Sequence, residues 1–206
     1  EELPEVIHEP KMPFGCESCL ACIKQCPTDA LEFGKPIDAR KCISYLTIEY
    51  RGMIPRELRP AMGQWLFGCD LCQTCCPFEI HATQSNRDGY TSRLLQMSLT
   101  DLLALDADEF RSHFRRTPLW RPRREGLLRN AVIVVANGEY LGALPAVRRL
   151  LADDSPVLVE VASWCLARLR DTGSIPLLER VFARELPPAI REHIRADLQT
   201  LGASSS

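Results

Sequence analysis

The sequence predicts an α+β chain that is mostly α, with two domains meeting near residue 90, and three observations carry that expectation. Eight of the ten cysteines form two runs with one outlier: Cys16, Cys19, Cys22 and Cys26-Pro27, then Cys69, Cys72 and Cys76-Pro77, with Cys42 between them. After residue 90 the cysteine runs give way to leucine-, alanine- and arginine-rich segments with helical periodicity. Within that half, Gly142–Leu150 aligns with Gly173–Val181 at an offset of 31, and Pro156 matches Pro187.

The first run, Cys16-x2-Cys19-x2-Cys22-x3-Cys26-Pro27, is a full bacterial ferredoxin motif. In such motifs three thiolates hold one 4Fe-4S cluster and the fourth reaches to a second cluster. The second run repeats the x2 and x3-Cys-Pro steps but has Leu66 where its first cysteine would stand. Cys42 can supply that ligand if the chain between Cys42 and Cys69 loops out. The expected sets are therefore Cys16, Cys19, Cys22 and Cys76 for cluster A, and Cys26, Cys42, Cys69 and Cys72 for cluster B. Cys75 is an alternative to Cys42, because it would extend Cys69 and Cys72 into an x2-x2 triplet. Structural zinc on paired CxxC elements and a disulfide framework are the competing uses of such cysteines. The complete four-cysteine motif with its partial copy favours clusters. Cys165, in an apolar stretch, reads as a small buried hydrophobe.

Residues 1–13, with Pro4, Pro10 and Pro13, read as a connector entering from something upstream, since Glu1 is not a natural start. Residues 14–90 read as a bacterial ferredoxin-like di-cluster domain. Within it, Ala30-Leu31-Glu32-Phe33 is expected to form a brief strand, with Ile37-Asp38 opening its return toward Cys42. Pro55 to Met62, in the insertion between Cys42 and Cys69, is expected to form a helix with proline in its first turn. Residues 91–203 read as an α-helical HEAT-like repeat domain, with helices over Leu127–Ala136, Leu144–Ala152, Val157–Arg170, Ile175–Arg184 and Pro188–Leu201. An ordinary helical bundle is the alternative, because the copies are few. Ala203-Ser204-Ser205-Ser206 is small and polar and reads as a tail, so 204–206 are set apart.

Ten cysteines in 206 residues fall below the share of roughly 8–10% that marks a disulfide-stapled secreted domain. With no secretory leader and no apolar run of the roughly 20 residues that a membrane helix needs, the expectation is a cytoplasmic monomer without a membrane partner. The formal charge of −2 excludes a uniformly basic surface, so any affinity for nucleic acid must be local. The segment 111–129 supplies it, with Arg111, Arg115, Arg116, Arg121, Arg123, Arg124 and Arg129 against the single acid Glu125, and with Phe110, Phe114 and Trp120 interleaved. Arginine forks beside aromatic faces suit phosphates and unstacked bases. The alternative is a solvated helix face with its aromatics in the core.

Three segments resemble the epoxyqueuosine reductase family. They are Cys16-Glu17-Ser18-Cys19-Leu20-Ala21-Cys22 through Cys26-Pro27-Thr28; Arg40-Lys41-Cys42-Ile43-Ser44-Tyr45-Leu46-Thr47-Ile48-Glu49 with Ile54-Pro55-Arg56-Glu57-Leu58-Arg59-Pro60; and Phe67-Gly68-Cys69-Asp70-Leu71-Cys72-Gln73 to Cys76-Pro77. Leu128-Arg129-Asn130-Ala131-Val132 also looks like the opening of that family's HEAT-like domain. The resemblance implies a cobalamin- and iron–sulfur-dependent oxidoreductase. Such an enzyme removes the epoxide oxygen of epoxyqueuosine at the tRNA wobble position, with electrons from an external donor passing through two 4Fe-4S clusters. It further implies that Ser44, Tyr45, Cys69 and Asp70 face the cobalamin, and that Arg121, Arg123, Arg124 and Arg129 grip the anticodon stem-loop. The family's cobalamin domain with its catalytic acid has no counterpart in these residues, so no catalytic residue is expected in this chain, which should be inactive without that upstream partner. Phe78-Glu79 stands where the family has Trp-Asn. Two other functions fit parts of the pattern: a stand-alone ferredoxin-type carrier with a protein-binding helical repeat, and a corrinoid reductase of the dehalogenase kind.

Overall fold

A stretch such as Leu127-Leu128-Arg129-Asn130-Ala131-Val132-Ile133-Val134-Val135-Ala136 gives a helix no polar face, and a helix of that kind has to be enclosed by others. The computed structural model, which describes residues 15–80 and 97–203, encloses it. The helices are α1 (Cys16–Cys19), α2 (Ala21–Gln25), α3 (Ile43–Ile48), α4 (Leu71–Thr74), α5 (Pro77–Ile80), α6 (Leu99–Ala104), α7 (Ala107–Phe114), α8 (Arg123–Gly138), α9 (Leu144–Arg149), α10 (Pro156–Arg168), α11 (Ile175–Phe182) and α12 (Pro188–Ala203). Every residue of α8 from Gly126 to Ala136 is buried, against α10, α6 and α3. Its neighbour α10 is buried from Leu158 to Ala167 and packs also on α9 and α12.

Local chemistry sets the helix starts. The Ser98 hydroxyl accepts from the Asp101 N–H ahead of α6, Asp106 and Glu109 form a reciprocal capping box at α7, and Ser155 caps α10 with Pro156 at its first position. The 31-residue offset in sequence returns as a repeated backbone. Glu139 and Arg170 both take left-handed φ, at 52° and 54°. Tyr140 and Asp171 follow with nearly equal angles. Each turn then leads through a short 3-10 helix, Leu141–Ala143 or Thr172–Ser174, into α9 or α11 with proline near its start.

Two expected elements differ. Among the described residues there is no strand, so the α+β expectation is corrected to a mostly helical fold. Ala30 to Phe33 leaves and returns as a loop closed by a turn bond, Lys35 N–H to Glu32 C=O at 3.2 Å, beyond which the two arms share one backbone bond, Asp38 N–H to Ala30 C=O at 2.9 Å. A lone bond with no neighbouring ladder cannot sustain a strand. Pro55 to Met62 forms turns and a 3-10 helix, Pro60–Met62, because Pro60 has no N–H with which to continue an α-helical ladder. The connector 1–13, the boundary near residue 90 and the tail 204–206 lie outside the described residues. Among those that are described, no helix is long and apolar enough to cross a membrane.

The segment between Cys42 and Cys69 packs into the helical half: Ile43, Leu46, Ile54 and Met62 share one core with α8 and α10. Polar ties accompany it. Arg56 bonds Glu160 at 2.7 Å and Asp197 at 2.8 Å, while Arg59 reaches Glu160 at 2.5 Å.

Candidate functional site

The cysteine runs are displayed by short helices. Cys16 and Cys19 stand at the two ends of α1, Cys22 lies in α2, Cys72 lies in α4, and α2 packs against α4. Cys42 immediately precedes α3. Cys69 follows Gly68, whose φ of 76° turns the chain in a way that favours glycine. Cys26, Cys42, Cys69 and Cys72 line a common small cavity together with Pro27, Thr28, Ala30, Leu31, Ile37, Ile43 and Leu71. Cys75 is not among its walls, and its thiol turns to the Cys72 carbonyl at 3.7 Å. For the other expected set, Cys22 lies close enough to Cys72 to bear on its ionisation, and Cys19 is exposed.

The electrostatics of the cavity are uneven. Burial favours the neutral thiol at Cys26, but N–H groups outweigh it and hold its pKa below the usual thiol value; the Ala30 N–H meets its sulfur at 3.3 Å. Cys69 and Cys72 are pushed up, by burial first and then by neighbouring thiols, Cys42 among them. Among the described residues no three His, Cys, Asp or Glu side chains converge on a single ion. Four thiols spread around one cavity suit a polynuclear iron–sulfur group, which needs four sulfur donors and N–H groups around them. Cys165 is apart from all this, fully buried in α10, where burial pushes its thiol up to about 12.

Of the residues expected to face a corrin, Ser44 and Tyr45 share a shallow groove with Cys42, Ile37, Ala39, Ile48 and Glu49. Tyr45 is well exposed. Asp70 is exposed at the start of α4, and Cys69 belongs to the cavity.

The arginine segment divides. Arg129 is 1% exposed; its guanidinium donates to the carbonyls of Leu46 at 2.7 Å, Gly52 at 2.7 Å and Tyr50 at 3.1 Å, and burial pulls its pKa down to about 10. It cannot meet a phosphate, so its expected RNA contact is corrected to a structural role. Arg124 is half-buried and bonds the Leu105 carbonyl and Asp153, at 2.7 and 2.9 Å. Phe110 and Phe114 are core residues. Arg121 and Arg123 remain exposed. Arg121 pairs with Glu49, and Arg123, whose φ is 62°, lies over the Trp120 ring at 4.8 Å.

Sequence reasoning did not single out Thr47, Arg56, Arg59, Asn130, Glu160 or Asp197, all of which join the insertion to the helical half. The available signal was polar residues inside apolar helical runs, such as Asn130 in α8 and Glu160 within Val157–Ala162.

The family described as a 4Fe-4S double cluster binding domain matches residues 15–79, so the chain carries a 4Fe-4S double-cluster domain. Among curated proteins, the chain is 36% identical to the epoxyqueuosine reductase of Francisella cf. novicida, over 80% of this chain and 47% of that protein. It is 31% identical to the Bacillus subtilis epoxyqueuosine reductase, over 99% and 54%. An uncharacterized protein in the gldA 3' region of Geobacillus stearothermophilus is 32% identical over 91% of this chain and 88% of its own length. A crystal structure of an epoxyqueuosine reductase with a tRNA-Tyr epoxyqueuosine-modified stem loop matches with a TM-score of 0.75 at 30% identity, over 91% of this chain and 50% of that one. A Bacillus subtilis epoxyqueuosine reductase structure matches with a TM-score of 0.74 at 30% identity, over 94% and 53%.

Proposed function

Because the chain belongs to the epoxyqueuosine reductase family and spans about half the length of the curated reductases it matches, we propose that it is the electron-transfer and tRNA-docking portion of such an enzyme. The reaction served is reduction of epoxyqueuosine to queuosine at the tRNA wobble position. The observation that carries this reading is the shared cavity of Cys26, Cys42, Cys69 and Cys72, four thiols from three separate parts of the chain. They are the ligands of cluster B, and Cys16, Cys19, Cys22 and Cys76 are those of cluster A. When bound, a 4Fe-4S cluster carries one electron at a time, so two of them can deliver a pair in sequence.

The groove holding Ser44 and Tyr45 borders Cys42 and is the face offered to a cobalamin-bearing partner domain, to which Cys69 and Asp70 also contribute. The chain's residues there shape and position; none supplies the catalytic acid. The stacked helices with their 31-residue echo are HEAT-like, and they present Arg121 and Arg123 to an anticodon stem-loop.

Anaerobic reconstitution tests the cluster reading: about eight irons per chain are expected. Cys42→Ser should halve that figure and Cys75→Ser should leave it unchanged. Zinc in place of iron, or a loss at Cys75 instead of Cys42, overturns the assignment. For RNA, replacing Arg121 and Arg123 with alanine should weaken stem-loop binding and flatten the dependence of log affinity on log salt by about two. An unchanged slope in filter-binding titrations would remove this pair from the interface.

A further inference from the structure

Cys42 and Cys69 are separated by a long segment with little regular structure, so nothing local fixes the distance between their sulfurs. Two buried polar side chains bridge the two ends of that segment. Asn130 of α8, 0% exposed, donates both of its amide N–H bonds across the gap, to the Thr47 carbonyl at 2.8 Å on α3 and to the Leu66 carbonyl at 3.0 Å in the loop that leads to Cys69. Thr47, also 0% exposed, donates its hydroxyl to the Ile43 carbonyl at 2.7 Å, beside Cys42, and accepts from the Gly68 N–H at 2.9 Å, beside Cys69. The relay therefore starts one residue after the first cysteine and ends one residue before the second.

The donor inventory leaves no slack. An amide has two N–H donors and a hydroxyl has one. All are used, and Arg129 fixes the amide orientation by donating to the Asn130 oxygen from Nε at 3.2 Å and Nη2 at 3.0 Å. A flipped Asn130 would set its oxygen against two carbonyls. Away from water such a mismatch is expensive, so the arrangement admits one geometry.

We propose that Asn130 and Thr47 are positioning residues for cluster B, setting the separation of Cys42 and Cys69 so that the helical half holds the iron–sulfur site in shape. The inference rests on the two-cluster reading above. Outer-shell partners of metal ligands typically contribute about 10–100-fold in metal affinity.

Thr47→Val keeps the shape of the side chain and removes the hydroxyl's bonds to Ile43 and Gly68, while Asn130 keeps its carbonyl partners; Thr47→Ser keeps the hydroxyl. Chains reconstituted anaerobically are challenged with an iron chelator, and their reduced states are recorded by electron paramagnetic resonance. Cys42→Ser identifies which signal belongs to cluster B. In Thr47→Val, half of the iron should leave about tenfold faster than in the parent, with the cluster B signal altered and the remaining half released at the parental rate. Thr47→Ser, which keeps the hydroxyl, should return to parental behaviour. Thr47→Ala is the second variant if valine does not accumulate as folded protein. Iron release that is equal for both clusters, or no faster than in the parent, overturns the proposal. A parent that does not bind about eight irons overturns the two-cluster reading and this inference with it, a failure distinguishable from one confined to the Thr47 variants.

Discussion

Replacing Arg129 with alanine is expected to destabilise the whole chain, with no selective loss of RNA affinity. The substitution leaves the carbonyls of Leu46, Tyr50 and Gly52 without their donor, and each buried orphan costs about 1–3 kcal/mol. It also opens a void where the guanidinium sat beside the Tyr50 ring. Against this stands the cost of burying a charge, visible in a pKa pulled down to about 10, which the substitution relieves. The hydrogen bonds outweigh it, because one planar fork serves several carbonyls at once, and the net loss should be at least about 4 kcal/mol. Typical domains have roughly 5–15 kcal/mol in all. Urea unfolding under anaerobic conditions should show a large fall in midpoint. Arg129→Lys should rescue little, since an ammonium has three donors and no fork. A stable Arg129→Ala chain that binds stem-loop RNA poorly would restore Arg129 to the interface and overturn its structural role.

Arg129 also shows what was legible in the sequence and what was hidden. Cysteine spacing is a covalent rule, independent of tertiary context, and so the double-cluster domain could be read directly from Cys16-x2-Cys19-x2-Cys22-x3-Cys26-Pro27. The long helices were legible too, α8 through an unbroken apolar run, and α10 and α12 through proline at their starts. Arginine carries no such label. In composition Arg121, Arg123, Arg124 and Arg129 are alike, and only packing separates a guanidinium in solvent from one spanning a domain core. The distinguishing sign was the setting of Arg129 between Leu128 and a run of valines and isoleucine, where a helix has no wet side. The brief strand at Ala30–Phe33 failed for the opposite reason, because strand formation depends on a neighbour and the returning arm supplied a single bond.

The same reasoning applied to Glu160 yields the second large effect. Its side chain is 0% exposed and sits in α10 between apolar neighbours, where it accepts from Arg56 at 2.7 Å and from Arg59 at 2.5 Å. Asp197 of α12 takes the rest of Arg56 at 2.8 and 2.9 Å and accepts from the Ser163 hydroxyl at 2.6 Å. Burial opposes the charge on both arginines. At Arg56 the two carboxylates prevail and its pKa is raised; at Arg59 burial prevails and its pKa is lowered. Arg59 is thus the strained member, leaning on Glu160 and on the face of Trp164 at 4.9 Å. Glu160→Gln keeps the shape but strands that guanidinium in the core, which should cost about 3–5 kcal/mol. Glu160→Gln combined with Arg59→Met should recover much of this, because an apolar replacement of a buried pair is often neutral or better. Denaturant titrations of the parent, the single variant and the double variant decide the point. If Glu160→Gln shifts stability by less than about 0.5 kcal/mol, as an ordinary surface change does, the network is not what anchors the insertion to the helical half.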